Sequence, residues 1–395
     1  MWNGMQVIDA DAHMHEPRDM WDKYVEAKYK DRVPKVAFMD GIFMVYEPDG
    51  YIIPKNDKEQ SLRPPASAYD TMEEKYGEAY RQWWSSDIRL KDMDKYGWDI
   101  QVLLPTGNNG NFAYRVALKD VEIGAAMCRA YNNWCHDYCS LDSKRLKFVA
   151  VLPGGDVGEM VKEARRCVEE LGAVSVRNPF VREGEWLHES KYDPLWQLAC
   201  ELDFPISVHG EYRQRRFQPF RIHKEELPEE TYLAFESLDH ALGFPCDNMA
   251  TLGYFIFTGV LDRFPSLRLA ILESNSGWLP FWLGRMDDHT HGRNAMMGKT
   301  NLKMKPTEYF MRQCFIACDS DERALKYVVE YLEGERIVWN TDYPHPDAIE
   351  PAKALPELDA QAIPDAAKKK ILWDNSVKLF GPRILESKPA RLAAV

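Results

Sequence analysis

Eight short apolar runs, each leading into a stretch of helical spacing, constrain this chain more than any other feature. They are Met5–Ala10, Ile100–Leu104, Lys147–Leu152, Ala173–Arg177, Pro205–His209, Leu267–Glu273, Cys314–Cys318 and Arg336–Asn340. Near-continuous runs rich in Val and Ile suit strands buried on both faces. Between them lie amphipathic segments at Ala113–Asp142, Gly158–Leu171, Pro194–Leu202, Met249–Asp262, Leu279–Asp288, Glu322–Leu332 and Pro364–Phe380. Gly172 directly after one of these is a good C-cap. Strand–helix alternation repeated eight times predicts an α/β fold of the closed (β/α)8 TIM-barrel type. An open doubly wound sheet is the alternative, but no GxGxxG follows any run, so a dinucleotide fold lacks its usual support.

One barrel domain accounts for residues 1–395, with insertions at about 33–86 and 212–247 after strands one and five. The first carries a hairpin signal around Pro48-Asp49-Gly50. Both leave the C-terminal ends of strands, where a barrel keeps its active site. They are therefore expected to form part of the pocket roof and to set the substrate range.

The formal charge of −12 comes without a long basic block, which argues against a nucleic-acid partner. The longest apolar-rich stretch, Leu252–Leu261, is too short to span a bilayer, and Met1–Asp11 lacks the apolar run of a signal peptide. None of the eight cysteines forms a CxxC pair. They are expected to be reduced thiols in a cytoplasmic protein, not zinc ligands.

The polar residues that interrupt the apolar runs sit at strand ends. Asp11 and His13 follow strand one, His209 closes strand five, Glu273 closes strand six, and Asp342 lies just past strand eight. All would meet at one barrel mouth. In extended chain, residues i and i+2 point the same way, so Asp11 and His13 can grip one ion. His209 and Asp342 complete a set of two imidazoles and two carboxylates. Such a set suits a catalytic divalent Zn, Mn or Fe, one or two ions per chain. His15, Glu16 and Glu273 are further ligand candidates. Arg177, His240, Trp278 and His345 are candidates for holding substrate, and the arginines within Arg213–Arg216 are open to the same role.

The segments Val7-Ile8-Asp9-Ala10-Asp11-Ala12-His13, Val208-His209-Gly210, Leu272-Glu273-Ser274-Asn275-Ser276-Gly277-Trp278-Leu279-Pro280 and Thr341-Asp342-Tyr343-Pro344-His345, taken together, resemble the amidohydrolase-related family. Gly259-Val260-Leu261-Asp262-Arg263-Phe264-Pro265 fits as well. The similar branch holds aminocarboxymuconate semialdehyde decarboxylase, resorcylate-type decarboxylases and metal-dependent hydrolases. The resemblance runs from about residue 5 to about residue 380. It implies that Asp11 and His13 stand for the strand-one HxH pair, His209 for the strand-five ligand, and Asp342 for the strand-eight Asp that is a ligand and often a proton acceptor. Two departures stand out. Asp11 replaces the first His, and Glu273 stands where the decarboxylases carry a proton-handling His. Strand four ends in Arg177, which gives a carbamylated-lysine bridge no candidate.

The primary expectation is hydrolysis by a metal-activated water, with Asp342, Glu273 and His209 as catalytic groups. Non-oxidative decarboxylation of an aromatic or unsaturated acid is the second reading. The third is a hydroxylase with a paired iron or iron–manganese centre, suggested by four carboxylates beside two histidines. The fourth is a non-catalytic subunit of a hetero-oligomer. A small-molecule substrate is expected in a homo-oligomer, most simply a dimer, with no membrane partner.

Overall fold

The computed structural model describes every residue except 18, 34, 40–41, 48–49, 52–71, 107–109, 211–227, 291–299 and 389–395. Eight parallel strands form the barrel sheet: β1 (Ile8–Met14), β5 (Ile100–Pro105), β6 (Leu146–Ala150), β7 (Ser175–Arg177), β8 (Ile206–His209), β9 (Leu269–Leu272), β10 (Cys314–Cys318) and β11 (Ile337–Trp339). Each neighbours the next in that order. The remaining strands, β2 (Lys35–Met39), β3 (Ile42–Glu47) and β4 (Gly50–Tyr51), make a small antiparallel sheet. Glu47 pairs with Gly50. The two residues of the expected turn between them, Pro48 and Asp49, lie outside the described residues.

Two apolar cores follow from strand alternation. Ile8, Ala10, Val102, Leu104, Val149, Ala270, Leu272, Phe315, Ala317 and Val338 share one cluster that lines the barrel. Leu379, Phe380 and Ile384 of the C-terminal segment join it, held by Arg268, whose Nε donates to the Leu379 carbonyl at 2.7 Å. The alternate positions Leu103, Phe148, Ile271, Ile316 and Trp339 pack outward against the helices.

Three elements depart from the sequence expectation. β1 runs four residues further than expected, to Met14, so Asp11 and His13 lie within the strand. The helical stretch Ala113–Asp142 divides into Gly110–Lys119 and Val121–Cys139, because the Asp120 side chain caps the second helix by accepting from the Ile123 N–H at 3.1 Å. The helix expected from Met249 begins at Glu229 and runs to Phe257, so the second half of the expected insertion is helical. This helix closes on β8 at Gly210, where a Cβ would lie 3.0 Å from the Phe244 Cα. It closes on β9 through Asn248, whose Nδ2 donates to the Leu272 carbonyl at 2.6 Å.

Candidate metal centre at the barrel mouth

A β-bulge aims the first two candidate ligands. Asp9 pairs with Gln101 and Ala12 with Leu103, so three steps along β1 match two along β5. Before the bulge Ile8 and Ala10 face the barrel interior. After it Ala12 and Met14 join the outer core, which leaves Asp11 and His13 facing inward. Asp9 is thereby separated from Asp11 and works on the outer side of the barrel.

The gap between β11 and β1 is bridged differently from the other junctions. Among the described residues no strand ladder joins them. Two backbone bonds cross, from Asp342 N to the Asp11 carbonyl at 3.0 Å and from His13 N to the Tyr343 carbonyl at 2.7 Å. Side chains do the rest. The fully buried Asp9 accepts from Thr341 N at 3.0 Å, Thr341 Oγ1 at 2.5 Å and Gln101 Nε2 at 2.9 Å. Gln101 Oε1 accepts from Arg89 Nη1 at 3.2 Å. Arg89 also donates to the His13 carbonyl and to the Tyr138 hydroxyl. Burial pushes the Asp9 carboxyl up to about 7 despite these donors.

Across this seam the candidate ligands meet. His13 Nε2 lies 3.3 Å from His209 Nε2, 3.2 Å from Asp342 Oδ1 and 3.5 Å from Asp11 Oδ1. Among the described residues, two groups offer ligand atoms all within 4.8 Å of one another: Asp11, His13 and His209, and His13, Asp342 and His345. Neither buried oxygen of Asp11 has a hydrogen-bond partner. A buried carboxylate without a donor is costly unless a cation sits beside it. Burial lowers His13 and His209 to about 3, so both imidazoles are neutral, the form that ligates metal. The donor set therefore fits a divalent ion.

The acids and bases around this centre are driven apart. Burial raises Asp11 and Glu273 well above the carboxylate range, each reinforced by the Asp342 charge. Burial also works against ionising Asp342, but the His345 charge and hydrogen bonds from His13 and His345 outweigh it and hold Asp342 below the usual range. His345 Nδ1 lies 2.8 Å from Asp342 Oδ1. Burial would lower His345, yet Asp342, Glu273 and Asp347 together raise it to about 9. Its ring stacks on His13 at 4.0 Å.

Glu273 and Asp342 both adopt left-handed backbone, with φ of 50° and 54°, as does Asn275 at 52°. Such strain persists where neighbours over-determine the chain. After β9 the Glu322 carboxylate does this, accepting from Ser276 N at 2.8 Å and Ser276 Oγ at 2.9 Å. Gly277 has no room for a side chain, since a Cβ would lie 2.7 Å from that of Ala324.

Glu273 touches His209 Nε2 through Oε2, but stands outside both ligand groups. His15 stacks on Trp84 at 4.3 Å and joins neither group. Glu16 is buried, and its charge bears on Tyr131 and Cys135 of the helix Val121–Cys139, away from the centre. His345, a candidate for holding substrate, offers a ring nitrogen to the second of these groups. Trp278 Nε1 donates to the Ser274 carbonyl at 3.0 Å. His240 Nε2 lies 3.3 Å from Asp347 Oδ2. It lines a cavity of about 240 Å³ with Glu273, Asp319 and Asp342. Arg177 is 3% exposed at the end of β7, and its charge acts on Asp11, His209 and Glu273. Residues 213–216 lie outside the described residues. Sequence reading passed over Asp9, Arg89 and Asp319. Asp319 follows β10 directly, so the strand-end rule that found Glu273 would have found it. All eight cysteines are free thiols, and no helix among the described residues is long and apolar enough to cross a membrane.

An eight-stranded parallel barrel with clustered imidazoles and carboxylates at its C-terminal mouth defines an enzyme built around a metal centre. The amidohydrolase family model matches residues 8–381, and the chain belongs to that family. It is 23% identical to a 2-amino-3-carboxymuconate-6-semialdehyde decarboxylase of Dictyostelium discoideum, covering 75% of this chain and 77% of the relative. It is 26% identical to a gamma-resorcylate decarboxylase of Rhodococcus jostii, covering 74% and 87%. Among solved structures, an amidohydrolase of Mycobacterium avium subsp. paratuberculosis superposes with a TM-score of 0.68 at 19% identity, covering 96% of this chain and all of the other. A 5-carboxyvanillate decarboxylase of Novosphingobium aromaticivorans, solved with manganese, gives 0.66 at 19%, covering 95% and 96%. The structural likenesses establish the shared barrel.

Proposed function

We propose that this protein is a metal-dependent carboxy-lyase that removes CO2 from a small aromatic or unsaturated acid without an oxidant. The observation that carries this reading is the pairing of two positive centres at one mouth. Arg177 is buried at the end of β7 with its charge acting on Asp11 and His209, and Asp11, His13, His209 and Asp342 form a cradle for a cation. An acid substrate matches both. The decarboxylases among the relatives support the same choice over hydrolysis, the primary expectation from sequence. The hydroxylase reading is weakened because Glu16 turns towards Tyr131 and leaves one carboxylate fewer at the centre.

Asp11, His13, His209 and Asp342 would hold the ion, with manganese, zinc or iron as candidates. When bound, it supplies a positive charge that orients the acid and stabilises negative charge as the C–C bond breaks. Arg177 holds the substrate anion. His345, fixed on Asp342, and Glu273 are the two groups placed to give a proton to the carbon that CO2 leaves. The electron pair of the broken bond stays on that carbon and takes up the proton. Described parts of both insertions border the pocket, His240 and Phe244 of the second among them. Lys75 Nζ and Tyr76 Oη of the first already donate to the Pro346 carbonyl at 3.0 Å and the His345 carbonyl at 2.6 Å.

The test is CO2 release from a panel of hydroxybenzoic and unsaturated acids by manganese- and zinc-loaded protein under nitrogen. Release with one deuteron incorporated from D2O per turnover supports the proposal. Hydrolysis of esters or lactones with no CO2 from any acid would return the primary sequence reading.

A further inference from the structure

A second cavity, of about 340 Å³, opens beside the candidate metal centre. It lies between the loop after β7 and the helix Glu229–Phe257. Arg177 and His209 form its inner end, and Phe180, Trp186, Leu187 and Tyr254 line its walls. The far wall is fixed, since the Tyr254 hydroxyl bonds His188 Nδ1 at 2.6 Å and His188 N at 2.8 Å. The acid-lined cavity of about 240 Å³ sits on the other side of the contact between His209 and Glu273. The cavity of about 340 Å³ offers room beyond Arg177 and His209 for more than an acid head. We infer that the preferred substrate has two parts: an acid head held by Arg177 at the metal centre, and an uncharged, ring-sized apolar extension seated between Phe180, Trp186 and Tyr254.

This inference rests on the carboxy-lyase reading for the head group and adds the shape of the rest of the molecule. The chemistry of the wall sets the class. Aromatic and aliphatic faces reward burial of apolar surface. Glu185 and Asp247 border the same cavity and disfavour a second anion on the extension. Trp186, 48% exposed, stands at the surface end of this wall.

Binding to the manganese-loaded, full-length protein tests it without needing turnover. Calorimetry would compare 2-hydroxybenzoate, one ring, with 1-hydroxy-2-naphthoate, two rings. The expected result is at least about tenfold tighter binding of the naphthoate, about 1.4 kcal/mol. Ala250→Phe, which fills the cavity from the helix side, should erase that preference and leave benzoate binding unchanged. Trp186→Ala, at a half-exposed position, should weaken the naphthoate several-fold and the benzoate not at all. Equal affinity for the two acids in the unaltered protein, or a parallel loss of both in either variant, overturns the subsite. Failure of the carboxy-lyase reading looks different, because the naphthoate preference would persist while no acid releases CO2.

Discussion

The junction between β8 and β9 and the junction between β11 and β1 both place candidate ligands, but they do so by different means. At the first, four consecutive residue pairs from Ile206↔Leu269 to His209↔Leu272 form a regular parallel ladder. His209 is carried on backbone at the end of that ladder, and no one side chain sets its place. At the second, two backbone bonds and the Asp9 carboxylate hold Thr341 and Asp342 against Asp11 and His13. The half of the centre that spans the seam therefore depends on side chains that mutation can remove, and the half on the ladder does not.

The largest effect that bears on this contrast should come from His13, which both ligand groups share. His13→Ala is expected to lower metal affinity by more than about 100-fold, beyond the upper end of what a lost outer partner costs, and to abolish turnover. Metal content by plasma emission after dialysis reads it directly. Next is Asp9→Ala. It leaves the Thr341 and Gln101 donors unpaired in the interior, at a cost of roughly 2–4 kcal/mol of stability, and should weaken metal binding by about 10- to 100-fold. Asp9→Asn, which keeps an acceptor for the Thr341 N–H, should recover much of the binding. If Asp9→Ala folds and binds metal normally, the seam is held by its backbone bonds and the contrast fails.

A smaller effect sharpens the electrostatics. Burial, with Glu322 and Asp342 nearby, raises Asp319 to about 7. A carboxyl raised in the folded state binds its proton more tightly there than in the unfolded chain. Its contribution to stability is therefore greatest below about pH 4 and is lost as pH rises towards 7. In metal-free protein, Asp319→Asn should flatten that part of the denaturation profile between pH 4 and 7. An unchanged slope would show that Asp319 ionises normally. The smallest effect belongs to the ladder side. Ser207 Oγ and Ser175 Oγ share a buried hydrogen bond of 2.7 Å, yet Ser207→Ala should cost only about 1 kcal/mol and leave metal affinity unchanged. A loss of metal in this variant would mean that the ladder alone does not fix His209.

Much of this architecture was legible in the sequence, because a strand buried on both faces leaves a dense apolar run. All eight barrel strands lie within a few residues of their runs. The strand-end positions of His209, Glu273 and Asp342 were readable for the same reason, since a polar residue ending such a run stands out. β1 was cut short because Asp9, Asp11 and His13 look foreign to a strand until their partners are known. Plain alternation from Asp11 would have placed Asp9 in the site. Only the bulge opposite Val102 separates them, and a bulge leaves no mark in composition. Arg89 was invisible because a buried arginine is rare, and its partners Gln101, Tyr138 and His13 are distant in the chain. Glu16 was misleading for the opposite reason. It sits close to the ligand pair in sequence, but its carboxylate turns outward towards Tyr131.

The account depends on one ion held jointly from both sides of the seam. The direct measurement is a crystal structure of manganese-soaked protein with anomalous data at the manganese edge. The account predicts one strong peak about 2.0–2.3 Å from atoms of Asp11, His13, His209 and Asp342. A peak bound only by His13, Asp342 and His345, with Asp11 and His209 turned away, would contradict it, as would the absence of any peak at the barrel mouth.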